Sequence, residues 1–186
     1  MPENSPVQPS LFERAKKIKL FLMDVDGTLT DGGVCLMSLP NGGGVAELKI
    51  FNSLDGLGLK LAHVMGVKTG FITGRKSPAV AQRAEESMVD YVYLGQATKM
   101  GAFDECLQKA GVTEEEVAYM GDDLPDMPLA RRAGLAVAVA NAAPELKGIS
   151  HYVTTAEGGK GAAREVVELI LKAQGLWEEA IPRALA

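Results

Sequence analysis

The stretch Ile18-Lys19-Leu20-Phe21-Leu22-Met23-Asp24-Val25-Asp26-Gly27-Thr28 decides the fold. A nearly continuous apolar run ends abruptly in two carboxylates and a glycine. Such a run suits a strand buried on both faces, as in a parallel sheet covered by helices. In open α/β sheets the chemistry gathers at the carboxyl ends of the strands, which puts Asp24 and Asp26 at the mouth of the sheet. Gly27 permits a turn there and a close approach of backbone to a ligand.

Working outward, further strand-like runs occur at residues 67–72, 91–94, 117–120, 135–139 and 152–154. Helical patterns lie between them at residues 54–65, 78–87, 99–110, 125–133 and 162–173. Ser77-Pro78 places a cap before a proline at the first helical position. Thr113 with Glu116 has the spacing of a capping box. The alternation predicts an α/β domain with a parallel sheet and helices on both faces. One stretch departs from it. Residues 34–38, the turn-rich Pro40-Asn41-Gly42-Gly43-Gly44 and residues 45–51 read as a β-hairpin inserted at 34–51. The expected organisation is an N-terminal lead over residues 1–17, disordered across 1–10, then one domain over 18–175. A tail over 176–186 follows, read as a short helix or packing arm.

The bulk properties limit the possible partners. A chain of 186 residues, 47% apolar and 23% charged, is an ordinary globular composition able to bury a core without disulfides. A net charge of −5 argues against nucleic acid, which demands clustered Lys and Arg. The basic run Arg14, Lys16, Lys17, Lys19 reads as a solvated helix face. Cys35 and Cys106 lack metal-ligand spacing and are expected to be buried thiols in a reducing compartment. No apolar run approaches the ~18 residues of a membrane span. The polar start MPENSPVQPS lacks the pattern of a signal peptide, so a cytoplasmic location is expected. His63 and His151, the two histidines, are expected to be structural.

Four signals carry chemistry. The first is Asp24-Val25-Asp26-Gly27-Thr28, in which one carboxylate can attack phosphorus while the other delivers a proton. A metal-binding or turn-forming acidic pair would read the same way. The second is Phe71-Ile72-Thr73-Gly74-Arg75, where a hydroxyl and backbone N–H groups could hold phosphoryl oxygens or merely cap the next helix. The third is Lys99 after Gly95-Gln96-Ala97-Thr98. A lysine at a helix start is poorly placed for the helix dipole, so it is either solvated or a phosphate-binding cation. The fourth is Gly121-Asp122-Asp123-Leu124-Pro125-Asp126. Carboxylates crowded at one strand end are costly unless a cation neutralises them, and hard oxygen ligands suit magnesium.

Taken in this order, the four motifs resemble those of the haloacid dehalogenase-like phosphatases, whose fold is a Rossmann-like parallel sheet. The resemblance implies Asp24 as nucleophile, Asp26 as general acid/base, and Thr73 and Lys99 as phosphoryl-binding groups. It also implies Mg2+ held by Asp24, the Asp26 carbonyl and Asp122. The chain further resembles the branch that hydrolyses 3-deoxy-D-manno-octulosonate 8-phosphate, a homotetrameric branch without a separate cap domain. That likeness rests on Thr30-Asp31-Gly32, Phe51-Asn52, Asp55-Gly56, Ile72-Thr73-Gly74-Arg75-Lys76, Gly95-Gln96 and the glycine-rich Gly158-Gly159-Lys160-Gly161. It implies substrate contacts from Asn52, Ser53, Asp55, Gly56, Lys60, Gly74, Arg75 and Arg83, beside Asp26, Thr73 and Lys99. Leu54, Lys60 and Lys160 stand where arginine is usual in that branch, and Lys lacks the bidentate fork of Arg. A phosphatase for another sugar-acid phosphate, such as a nonulosonate 9-phosphate, therefore stays open, as does a non-catalytic assembly module. The first hairpin strand, Val34-Cys35-Leu36-Met37, is apolar on both faces, whereas the second alternates. This predicts a homo-oligomer, most simply a tetramer, with the hairpin at the interface. In that assembly a neighbouring hairpin would wall the site, with residues 158–161 as a flexible gate.

Overall fold

The computed structural model describes residues 9–183. Of the expected lead, residues 1–8 lie outside the described residues. Helix α1 (Leu11–Lys16) opens on Ser10, whose Oγ accepts from the Glu13 N–H while the Glu13 carboxylate accepts from the Ser10 N–H at 2.7 Å.

Strand β1 (Leu20–Met23) is fully buried and lies at the centre of a six-stranded parallel sheet. The other members are β4 (Lys68–Ile72), β5 (Tyr91–Tyr93), β6 (Val117–Gly121), β7 (Leu135–Ala138) and β8 (Tyr152–Val153). The order is β5-β4-β1-β6-β7-β8. The chain winds from β1 through β4 to β5, then crosses back to β6 and winds the other way. The reversal creates a crevice beside the carboxyl end of β1, where such sheets bind ligands. Right-handed crossovers send the connecting helices to opposite faces. Helices α1, α2 (Ser53–Val64), α7 (Ala162–Ala173) and α8 (Trp177–Arg183) pack with one another. On the other face α4 (Met100–Ala110), α5 (Met127–Ala130) and α6 (Pro144–Ile149) do the same. Helix α3 (Pro78–Glu86) sits beside the start of α2, where an Arg83 N–H donates to the Asn52 carbonyl at 2.8 Å. Among the described residues no helix is long and apolar enough to cross a membrane.

The structure corrects several local expectations. The helix expected over 125–133 is a 3-10 turn, Leu124–Asp126, followed by one turn of α5. Pro125 and Pro128 lack the N–H groups that a longer helix would use there. Helix α6 went unanticipated; Pro144 starts it. Thr113 and Glu116 do form a capping box, but it closes a 3-10 turn, Glu114–Glu116. Pro78 stands at the start of α3 as expected, yet Ser77 makes no side-chain cap bond. His151 is structural: its Nδ1 accepts from the Ala136 N–H at 2.9 Å.

The inserted hairpin forms β2 (Cys35–Ser38) and β3 (Val45–Leu48), paired antiparallel with Cys35 opposite Leu48. Cys106 is buried as expected, but Cys35 is exposed. The physical reason is that a two-stranded ribbon has no second layer within this chain to cover it.

Candidate active site

Asp24 ends β1 and its N–H is held by the Met120 carbonyl of β6 at 3.0 Å. Gly27 turns the chain with φ +91°, and a Cβ there would lie 2.1 Å from Asp122 Oδ2. No side chain fits that approach, so the carboxylate after β6 can press against the loop after β1. Thr28, fully buried, reaches the same carboxylate, and its Oγ1 donates to Asp122 Oδ1 at 3.0 Å.

Lys99 precedes α4, and its ammonium turns away from that helix into the crevice. Its Nζ lies 2.9 Å from Asp24 Oδ1 and 2.7 Å from Asp126 Oδ1. Asp126 is 1% exposed and fully satisfied. Its Oδ1 accepts from Lys99 and, at 2.6 Å, from the Tyr119 hydroxyl. Its Oδ2 accepts the N–H groups of Asp122 at 3.0 Å and Asp123 at 3.3 Å. Thr73 ends β4, is buried, and its Oγ1 accepts from the Arg75 N–H at 3.3 Å. Asp24, Thr73, Lys99, Asp122 and Asp126 line a cleft of about 590 Å³ with Asp26, Gly74 and Arg75.

The electrostatics are those of a site short of positive charge. Burial, and then the nearby Asp126 carboxylate, push Asp24 up to about 6. Burial, then Asp126 and Asp24, push Asp122 up to about 7. Burial works against the charge of Lys99, yet Asp24 and Asp126 together hold its pKa above the usual lysine value. One ammonium thus faces three carboxylates, whose oxygens lie within 4.8 Å of one another. A hard divalent cation fits this set. Because Asp126 already accepts four hydrogen bonds, the oxygens left for a cation belong to Asp24 and Asp122.

Residues 68–166 match the family of haloacid dehalogenase-like hydrolases. Over 175 residues the chain is 43% identical to the 3-deoxy-D-manno-octulosonate 8-phosphate phosphatase of Salmonella typhimurium, spanning 94% of this chain and 90% of that protein. The chain belongs to the haloacid dehalogenase-like hydrolase family. Two solved structures are similar throughout. One is the 3-deoxy-D-manno-octulosonate 8-phosphate phosphatase of Moraxella catarrhalis in complex with magnesium ion, phosphate ion and a KDO molecule. It has a TM-score of 0.86 at 41% identity, over 93% of this chain and 97% of that one. The other is the cobalt-bound deoxy-D-mannose-octulosonate 8-phosphate phosphatase of Haemophilus influenzae, with a TM-score of 0.81 at 34% identity, over 91% and 99% of the two chains.

The residues singled out by the family resemblance divide into two groups. Asp24, Asp26, Thr73, Gly74, Arg75, Lys99 and Asp122 meet around the cleft. Asn52, Ser53, Asp55, Gly56, Lys60 and Arg83 do not line it. Asn52 caps α2, its Oδ1 accepting from the Leu54 N–H at 2.8 Å. Asp55 is buried and accepts from the N–H groups of Gly161 at 3.2 Å and Arg164 at 3.0 Å. It is therefore a cap on α7 supplied by another helix, where its negative charge complements the positive end of the α7 dipole. Gly56 leaves room for Arg83, whose guanidinium would lie 2.2 Å from a Cβ at that position. Ser53, Leu54 and Lys60 lie on the exposed side of α2.

The 158–161 segment is packed rather than loose. A Cβ on Gly158 would sit 1.8 Å from the Gly27 carbonyl oxygen, and the Gly159 N–H donates to the Thr28 carbonyl at 3.0 Å. The segment braces the loop that carries Asp26 and Gly27. Sequence reasoning missed Tyr119 and gave no separate part to Asp126 or Thr28, although both fall inside its motifs. A tyrosine inside an otherwise apolar strand was the available signal for Tyr119, because a buried hydroxyl needs a partner.

Proposed function

We propose that this chain is a magnesium-dependent phosphomonoester hydrolase that converts 3-deoxy-D-manno-octulosonate 8-phosphate to the free sugar acid and phosphate. The observation that carries this reading is the buried Asp24 carboxylate at the end of β1, with Lys99 2.9 Å away. The high identity to phosphatases with that substrate supports the choice of sugar acid.

In this reading an Asp24 oxygen attacks phosphorus and the bond to the sugar oxygen breaks. Asp26 gives its proton to the departing alkoxide. Asp26 then takes a proton from the water that attacks the aspartyl-phosphate, which frees phosphate and restores Asp24. Lys99 and Thr73 bind phosphoryl oxygens, and Asp126 keeps Lys99 aimed at Asp24. The oxygens of Asp24 and Asp122, with the Asp26 carbonyl, would hold Mg2+. When bound, that ion offsets the repulsion between the dianionic phosphate and the carboxylates.

The active form in this proposal is a homotetramer. The hairpin leaves Leu36, Leu48 and Ile50 at 62%, 58% and 72% exposure, beside Val34, Met37 and Val45. An apolar patch of that extent marks an association surface. Cys35 and Cys106 are both free thiols, which suits the reducing cytoplasm proposed for the enzyme.

Leu54 favours a second reading, in which another sugar-acid phosphate, such as a nonulosonate 9-phosphate, is the substrate. It presents an exposed apolar side chain where an arginine fork would bind a carboxylate. Phosphate release from a panel of sugar-acid and neutral sugar phosphates, compared by kcat/KM with and without Mg2+, tests both. A preference for the octulosonate ester is expected; a higher kcat/KM for a nonulosonate ester would favour the second reading. No release from any ester would overturn both.

A further inference from the structure

The hairpin has two kinds of face. Leu48 and Ile50 point outward, while the alternation of a strand turns Glu47 and Lys49 the other way, toward the cleft. Lys49 follows β3 directly, and its side chain is only 3% exposed. Its Nζ contacts Asp26 Oδ1 and lies 3.2 Å from Glu47 Oε1. Arg75 closes the ring, with Nε 3.7 Å from Asp26 Oδ2 and a terminal nitrogen 3.8 Å from Glu47 Oε1. Two acids and two bases therefore share one cluster at the edge of the cleft. A solvated pair of this kind would hold nothing in place. Here water is excluded from the lysine, and its two carboxylate partners come from different parts of the chain.

Asp26 has no other anchor of that kind among the hydrogen bonds of the described residues. A carboxylate delivering a proton must be held to within about 10–20° of the productive orientation. The loop after β1 fixes the Asp26 backbone, but not the torsions of its side chain. The Lys49 ammonium fixes one oxygen and leaves the other beside Arg75.

We propose that Lys49 is a positioning residue for Asp26, and that Glu47 in turn positions Lys49. The inserted hairpin then orients the acid of its own subunit, besides any part it has in assembly. The inference rests on the role given to Asp26 in the proposed function. In the step concerned, the P–O bond breaks with its electron pair going to the sugar oxygen. The O–H bond of Asp26 breaks as the O–H bond of the alcohol forms.

The test compares two esters whose leaving groups differ in their need for that proton. 3-Deoxy-D-manno-octulosonate 8-phosphate must leave as an alcohol; p-nitrophenyl phosphate leaves as a stable phenolate. Because kcat/KM reports the steps through the first irreversible one, it isolates this proton transfer from later hydrolysis. Lys49→Met should lower kcat/KM at least about 30-fold for the sugar ester and less than about threefold for the nitrophenyl ester, because misplacing the acid forfeits part of the roughly 100- to 10,000-fold that general acid catalysis contributes. Lys49→Arg should return the sugar ester to within about fivefold of wild type, since a cation again reaches Asp26. Glu47→Gln, which keeps the lysine, should show the same preference with a smaller loss. It carries the test if Lys49→Met does not fold. Equal losses on the two esters in an active, folded protein would overturn the inference and leave the proposed function standing. A wild-type enzyme inert toward both esters would overturn the two together.

Discussion

Lys99 is held at its task by Asp126: Nζ and Oδ1 stand 2.7 Å apart in a pair that water barely reaches. Every lone pair direction of Asp126 is used, two by side chains and two by main-chain N–H groups. This carboxylate therefore does two jobs. It ties the 3-10 turn after β6 to the strand end, and it fixes the cation beside Asp24.

Asp126→Asn should be disproportionately harmful for so small a change. An amide offers one oxygen and one NH2, so either Lys99 with Tyr119 or the two N–H groups would face a donor. Breaking a buried pair from one side costs about 3–5 kcal/mol. Denaturant unfolding should show a loss of that order, and kcat should fall at least about 100-fold through misplacement of Lys99. Near-native values for both would remove Asp126 from the site.

Asp24→Asn should abolish turnover without harming the fold, because an amide forms no acyl-phosphate. In metal-free buffer above pH 7 the variant should equal or exceed wild type in stability. The reason is that Asp24, pushed up to about 6, carries its charge at a cost in the folded state. A shift of this size corresponds to at most about 3 kcal/mol. Residual activity within tenfold of wild type, in a folded protein, would end the nucleophile assignment.

The pH dependence of the metal-free protein follows from the same shifts. Asp122 is raised to about 7 and Asp24 to about 6, so between about pH 4 and 7 the folded state binds more protons than the unfolded one. The stability these groups contribute is complete below pH 4 and is lost as pH rises toward 7. Asp122→Asn lacks one of these charges and should gain on wild type in Tm across that window. With Mg2+ the order should reverse at pH 7.5, because the cation stabilises only the charged carboxylates. A Tm difference independent of pH would contradict the assignment.

Gly158→Ala tests the brace beneath the Asp26 loop. The added Cβ would meet the Gly27 carbonyl oxygen at 1.8 Å, and because that oxygen is backbone the two segments must part. Activity should fall at least about tenfold, as expected for displacement of a positioned group. Gly148→Ala is the control, since a Cβ there meets nothing within 4 Å and the residue lies in α6. It should leave activity intact and raise stability by up to about 1 kcal/mol. Equal effects of the two substitutions would refute the brace.

Leu36→Lys should split the proposed tetramer, because the charge enters the apolar hairpin face. Light scattering should report smaller species, and kcat/KM should fall with the assembly. A wild-type protein that is monomeric at micromolar concentration and fully active would remove the oligomer from the proposal.

The element types and the reacting strand end were legible in the sequence because they depend on neighbours along the chain. The apolar run into Asp24-Val25-Asp26, the proline that opens α3 and the alternation in β3 are short-range patterns with short-range physical causes. Which distant groups meet depends on strand order, which local periodicity does not encode. With β1 between β4 and β6, Asp24, Thr73 and Asp122 converge at one crevice. The tertiary structure alone decided that Asp126 holds Lys99, that Lys49 contacts Asp26, and that Asp55 caps α7 instead of lining the cleft. Each of these contacts joins residues on different elements. A charged side chain looks the same in sequence whether it ends in water, against a helix terminus or beside a nucleophile. Only the packing that strips away its water selects among them, because burial makes an unpaired charge too costly to leave alone.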